Sequence, residues 1–334
     1  MLLTFFLGMV FGALLLYARL NRFDVITGLA LREDLTVARV LSLAIGTGAI
    51  LVNAEVALGV ASYHVKPLLL GGVILGGIVF GMAMAILGYC PGTLAVSAGE
   101  GSLDAVIGIA GGLTGGVFYT LVLPYIRPIL GPDLGKISLR SALKSNMVFF
   151  PVVLLLGLGL ILLSFFLDRL EGTKTKRWVI SGLGLGVLDA ILFLRPVSNR
   201  PIGASTTYPY IGDLLSGLTG SGYFARIKTP GAWEAVFLAG ALLAGFILSL
   251  FKKEFRLILI HENWKKHRGI SKTGRAIWAF AGGFLLIFGA RMAGGCTSGH
   301  ILSGGMQFSA SSWIFAVFVF SAFLALGPVF YRKR

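Results

Sequence analysis

Charge is what this 334-residue sequence has least of: Asp, Glu, Lys and Arg make up 13% of it, against 56% hydrophobic residues and a mean hydropathy of +0.87. No soluble fold of this length keeps that much apolar surface from water, so a polytopic membrane protein is expected. Cysteine is scarcer still. Cys90 and Cys296 are the two present, too few for a disulfide framework, and neither stands in a metal-ligand spacing. With no cofactor motif either, no metal, cofactor or enzymatic chemistry is expected. Acid is outnumbered by base, 14 residues against 29, for a formal net charge of +15. The basic residues sit in short connections between apolar runs and not on one face or helix. That distribution argues against a nucleic-acid partner and for loops held on the cytoplasmic side of a bilayer.

What the sequence has in quantity is apolar runs. A hydrocarbon core of roughly 30 Å takes about twenty apolar residues per helix, and nine windows qualify: 2–18, 36–60, 68–87, 104–124, 147–167, 178–194, 232–250, 276–293 and 311–330. Residues 1–17 have the look of a signal peptide, but no small-residue cleavage site follows before Arg19 and Arg22, so they count as the first span. Four interruptions, 19–35, 88–103, 195–231 and 294–310, each hold a piece too short to cross. Irregular backbone at membrane depth survives only where protein buries it or where it lines a cavity. The expected fold is therefore an all-α polytopic membrane protein, about nine transmembrane helices plus four short re-entrant helices.

The order span, short piece, span, span, short piece, span occurs twice. Residues 1–124 form a first repeat, 178–334 a second, and 125–177 supply a connecting loop and one linking span. A single linking span turns the second repeat over, the inverted arrangement of many transporters. With the C-terminus inside, 18 of the 29 basic residues fall on inner connections or the tail Arg332-Lys333-Arg334. That bias puts the N-terminus on the periplasmic side and the C-terminus in the cytoplasm. The loop 125–146, with Arg127, Lys136, Arg140 and Lys144, runs against it. The stretch 251–275, where eight basic residues alternate with apolar ones, reads as a basic amphipathic segment on the inner leaflet.

Both cysteines fall at glycine-lined breaks. Gly88-Tyr89-Cys90-Pro91-Gly92-Thr93 interrupts one apolar run and Gly294-Gly295-Cys296-Thr297-Ser298-Gly299-His300 another. Pro91 removes a backbone donor, while Gly88 and Gly92 do not hold the helical basin. A short helix starting at the midplane presents free amide N–H groups and the positive end of its dipole, which favour an anion. Thr93 on one side, and Thr297 or Ser298 on the other, suit such a start. A thiol adds a weak donor and a polarizable sulfur without fixed charge, suited to a soft sulfur-bearing anion. A buried cysteine is commonly an inert small hydrophobe; two at matching breaks argue otherwise.

Ionisable residues within the spans are costly and so informative. Glu55 and Asp189 lie about six residues from the outer ends of their spans, roughly 9 Å deep, and each either pairs with a base or reaches water. Arg291 either draws an anion into an outer vestibule or anchors at the interface. His300 either contacts the substrate or caps the short helix, with capping favoured. Glu100 and Asp104 read as caps of the fourth span.

The stretches Leu87-Gly88-Tyr89-Cys90-Pro91-Gly92-Thr93 and Gly289-Ala290-Arg291-Met292-Ala293-Gly294-Gly295-Cys296-Thr297-Ser298-Gly299-His300, followed by Ser311-Ser312-Trp313, resemble the YeeE/YedE family of bacterial inner-membrane proteins. The resemblance implies uptake of thiosulfate through an hourglass-shaped transporter, the anion passing between central cysteines at the positions of Cys90 and Cys296. Gly295 falls within the second motif. It also implies a cytoplasmic TusA-like sulfur carrier as partner. Family members often carry Arg-Phe-Cys where this chain has Arg22-Phe23-Asp24, and an acid there repels a dianion unless Arg22 offsets it. Two alternatives stand beside thiosulfate: another sulfur or selenium species, and a membrane sulfurtransferase or thiol oxidoreductase. The latter needs an activated thiolate, and no base accompanies either cysteine.

Overall fold

The computed structural model describes residues 1–172 and 175–332; Lys174, Lys333 and Arg334, used above for orientation, lie outside them. The described residues are helical throughout, without a strand. In chain order the helices are α1 Leu2–Tyr17, α2 Phe23–Ala30, α3 Thr36–Ala57, α4 Leu70–Leu87, α5 Pro91–Gly99, α6 Leu103–Leu130, α7 Leu139–Ala142, α8 Asn146–Glu171, α9 Arg177–Phe193, α10 Thr207–Ser216, α11 Gly222–Phe251, α12 Glu262–Arg268 and α13 Lys272–Ala293. A π-helical turn, Thr297–Leu302, then leads into α14 Ser303–Met306 and α15 Ala310–Phe330. The protein is thus an all-α polytopic membrane protein. Seven stretches are long and apolar enough to cross a membrane, those beginning at Thr36, Leu70, Leu103, Asn146, Gly222, Lys272 and Ala310. At 16 and 17 residues, α1 and α9 are shorter.

Short helices occupy all four interruptions, with one boundary differing. The third interruption was expected to run to residue 231, yet α11 already begins at Gly222 and carries Pro230 inside it. The polar stretch 222–231 prolongs the helix instead of opening the backbone. The segment 251–275 is not one continuous amphipathic helix. Its first part pairs with the α5–α6 turn, Leu103 N–H to Ile258 O at 2.7 Å, and α12 follows, packed on α2 with Trp264 buried. Trp264 is the anchor of this segment, while Phe251, Leu257 and Ile270 remain exposed.

Close helix approach depends on small residues, since lipid offers no hydrophobic drive for association. A Cβ on Gly76 of α4 would stand 2.6 Å from Gly289 O of α13, and one on Gly289 2.8 Å from Gly76 O. The pairings come in matched sets. α13 packs on α6 as α4 packs on α15; α1 packs on α11 as α3 packs on α9; α10 touches α6 and α11 as α2 touches α15 and α3. α5 meets α11 and α6, while the π turn and α14 meet α3 and α15. Outside these sets, α8 packs on α3 and turns Leu155, Leu162, Phe166 and other large apolar side chains outward.

The two cysteine breaks share one backbone design. α4 ends on Gly88 and α13 on Gly294, both at φ +77°, a left-handed conformation that L side chains resist. Two residues later each cysteine is extended, Cys90 at φ −102° and ψ 167°, Cys296 at φ −120° and ψ −170°, and each opens the next helical piece. A Cβ on Gly88 would also strike the Phe23 ring. Gly88→Val therefore costs about 1–2 kcal/mol from backbone strain alone and displaces Cys90, read as a lower unfolding midpoint in detergent; an unchanged midpoint would refute the assignment.

Candidate functional site

Both breaks open on one cavity of about 70 Å³, lined by Cys90 and Thr93 from the start of α5 and by Thr297 and Ser298 of the π turn. Apolar side chains from six further helices, among them Phe11, Leu29, Leu41, Met84, Leu185 and Phe323, complete the wall. The two breaks meet at Gly92, where a Cβ would stand 3.5 Å from Ser298 Oγ and 3.3 Å from the Phe11 ring. Cys90 is half-buried and lines the cavity; Cys296 is 1% exposed and is not among the residues that line it. Thr93 Oγ1 accepts from Cys90 N–H at 2.8 Å and stands 3.4 Å from Cys90 Sγ, so this hydroxyl orients the thiol. Thr297 Oγ1 is buried without a hydrogen-bond partner among the described residues, leaving it available to an occupant.

Each opened carbonyl end is satisfied by a side chain. Arg275 donates to Ile86 O at 3.2 Å and Leu87 O at 2.8 Å, closing α4. The same guanidinium pairs with Asp104 at 2.5 Å and lies over the Phe23 and Trp264 rings. Tyr89 O–H reaches Asp104 at 3.3 Å and His261 Nε2 at 3.0 Å, so the residue before Cys90 is moored to the ion pair. At the second break His300 Nε2 meets Ala293 O at 2.8 Å and Nδ1 meets Ser312 Oγ at 3.0 Å. With both ring nitrogens engaged, His300 caps the break and does not face the cavity. Tyr208, at the start of α10, donates to Pro91 O at 2.9 Å and lies within electrostatic reach of both cysteines.

Several sequence assignments change here. Asp104 stands in the first turn of α6, one oxygen accepting from Ala105 N–H at 3.0 Å, but its buried carboxylate also pairs with Arg275. Glu100 closes α5 and not α6, and binds Asn21 and Arg22. Burial pushes its carboxyl above the usual range while Arg22 opposes the shift. Arg22 does not offset Asp24, since it pairs with Glu254 at 2.6 Å and Glu100 at 3.4 Å. Asp24 instead accepts from Asn263 N–H at 2.8 Å and anchors α12, and with Arg22 it lines a polar pocket of about 170 Å³. Asp189 is fully buried with no base: one oxygen accepts from Ile202 N–H at 3.0 Å and the other has no partner among the described residues.

Near the Cys296 break Arg291 donates to Tyr223 O–H at 2.8 Å, Thr206 Oγ1 at 3.1 Å and Ser205 Oγ at 3.3 Å. Lys66, on the connection between α3 and α4, reaches over Gly295 to Gly294 O at 2.8 Å. Neither Lys66 nor Tyr208 stood out in the sequence, the first being one of many loop lysines and the second one aromatic among many. The Ser/Thr-rich run just before Tyr208 was the available signal.

Removing Arg275 leaves Asp104 buried and uncompensated, which costs about 3–5 kcal/mol. Arg275→Met is expected to lose most folded protein in detergent and Arg275→Met/Asp104→Leu to recover part of it. Equal yields of the single and double variants would contradict the mooring role.

A profile for sulphur transport matches residues 18–325. The thiosulfate transporter TsuA of Spirochaeta thermophila is 25% identical over 292 residues, covering 82% of each chain. The paired cysteine breaks lie inside that matched region. The chain belongs to the sulphur transport family, the YeeE/YedE family of membrane proteins.

Proposed function

We propose that the protein imports thiosulfate across the bacterial inner membrane, passing it between Cys296 and Cys90. The observation that carries this reading is the shared cavity at which two glycine-stopped helices bring together a thiol, three hydroxyls and two helical starts. The similarity to TsuA adds the substrate. The anion's oxygens suit the hydroxyls of Thr93, Thr297 and Ser298. Its terminal sulfur, larger and softer, suits thiol contact and the apolar wall, where a fully hydrated ion gains little. Such contacts are weak enough to release.

The N-terminus is periplasmic and the C-terminus cytoplasmic in this reading, supported by the basic inner connections. Residues 1–124 and 178–334 act as inverted repeats around 125–177. Support comes from the matched helix pairings and from Gly88 and Gly294, which end α4 and α13 at the same φ of +77°. A TusA-like carrier receives the sulfur inside. A second reading, transport of another sulfur or selenium species, is favoured by one observation: Asp24, tied to Asn263, stands where family members often have cysteine.

In a host without other thiosulfate importers, Cys90→Ala or Cys296→Ala abolishes growth on thiosulfate as sole sulfur source while the protein still reaches the membrane. Normal growth of both variants would overturn the thiol pathway. Labelled uptake into proteoliposomes, challenged with unlabelled sulfur and selenium anions, separates the two substrates.

A further inference from the structure

Away from the cysteine breaks, α8 and the start of α15 enclose an apolar groove of about 650 Å³, within the roughly 300–1,000 Å³ of a ligand site. Leu155, Gly159 and Leu163 of α8 line one side, Phe308 and Trp313 another, and the 137–142 segment a third. Ser138 brings the one hydroxyl among the lining residues, and it accepts from Ser141 N–H within the cap of α7. Apart from Gly222 at the first position of α11, the other described glycines of the long helices each have a neighbour against them, but a Cβ on Gly159 would meet no heavy atom within 4 Å. A helix glycine costs stability relative to alanine, and here no close approach of helices requires it. Across the groove Phe308 holds φ +47°, a left-handed conformation that L side chains resist and that points to a functional constraint. Its ring lies parallel to that of Trp313, with 8° between the planes and centroids 6.4 Å apart.

Positive charge is concentrated beside this groove. Lys136, Arg140 and Lys144 alternate with or flank its lining residues, and no acid occurs from Leu134 to Leu167. Asp133, the nearest acid in sequence, accepts from Gly135 N–H at 2.8 Å. None of the three cations makes an ion pair among the described residues. Arg140 is held over the Phe149 ring at 5.2 Å and donates to Leu143 O at 3.0 Å and Lys144 O at 2.9 Å. From Leu155 to Leu163 the groove follows about 12 Å of helix, less than the roughly 15 Å of hydrocarbon in one leaflet. A partner's spanning helix needs about twice that depth; a single acyl chain does not.

We propose that the groove holds an acyl chain of an anionic phospholipid whose headgroup phosphate is drawn to Lys136, Arg140 and Lys144. The chain lies over Gly159 and covers the exposed Leu155 and Leu163. Basic residues beside a membrane-embedded apolar groove select anionic over zwitterionic lipid. The lipid braces the pairing of 137–139 with 308–310, where Leu139 N–H meets Phe308 O at 3.0 Å and Ala310 N–H meets Ile137 O at 2.9 Å, and so the end of α14. It also accounts for a basic loop, 125–146, that runs against the distribution of the other basic residues.

Native mass spectrometry of the delipidated protein, titrated with phosphatidylglycerol and with phosphatidylcholine of the same chains, tests this. The wild type is expected to hold phosphatidylglycerol about tenfold more tightly than phosphatidylcholine. Gly159→Leu, whose side chain enters open space, is expected to weaken phosphatidylglycerol binding about tenfold while its unfolding midpoint in lipid-free detergent stays at or above that of the wild type. Lys136→Gln/Lys144→Gln is expected to bring phosphatidylglycerol to the phosphatidylcholine level. Equal binding of the two lipids by the wild type, a Gly159→Leu constant within about twofold of wild type, or a double variant that keeps the preference overturns the site. A paired assembly of this chain that Gly159→Leu breaks and phosphatidylglycerol leaves intact would assign the groove to a second copy, and overturns it too.

Discussion

A helix stopped inside a membrane leaves carbonyls that no water can reach, and the architecture of this protein follows from where those carbonyls find partners. At the first break Arg275 takes Ile86 O and Leu87 O; at the second His300 takes Ala293 O and Lys66 takes Gly294 O. The two solutions differ in kind. Arg275 carries its counter-ion Asp104 with it, which in turn holds Tyr89 and His261, making the Cys90 side a locked structure. The Cys296 side is closed by the His300 ring, held in turn by Ser312, and by the Lys66 ammonium, which has the Glu234 carboxylate within electrostatic reach but hydrogen-bonds to none among the described residues. The left-handed glycines are what bring both sets of carbonyls to these side chains.

The surroundings of the two breaks differ in character. The Lys66 and Arg291 cations lie at the Cys296 break, with the Glu234 carboxylate within electrostatic reach of both. The cavity where α5 and the π turn meet takes Cys90 and three hydroxyls from the breaks and is otherwise apolar. The polar pocket beside α2 holds charge of both signs, Arg22 tied to Glu100 and Glu254 and Asp24 tied to α12. Asp24 matters here because its carboxylate holds α12 in place, a job that a cysteine would not do by the same hydrogen bond.

Much of this was legible in the amino-acid order, and the reason is local. Apolar runs, Gly-Pro interruptions and paired Cys positions are encoded by neighbours in sequence, so the all-α membrane architecture, the short helices in the interruptions and both breaks could be read directly. Contacts between distant residues could not. Asp104 lies in the first turn of α6 and reads only as its cap until Arg275, far along the chain, arrives beside it. Arg22 looks like a partner for Asp24 until Glu100 and Glu254 claim it. Gly222–Gly231 looks like a loop because of its polar residues and Pro230, yet nothing in it forces the helix to stop. Lys66 has no local signature at all; its meaning comes from lying over a glycine pair more than two hundred residues away.

The central claim is that both thiols lie on the route of one soft anion. Mass-spectrometric measurement of alkylation at Cys90 and Cys296 in membranes, with and without thiosulfate, tests it most directly. Slower modification of both cysteines in the presence of thiosulfate, with no such effect from chloride at equal ionic strength, is the predicted result. Modification rates at both positions that ignore thiosulfate would contradict it.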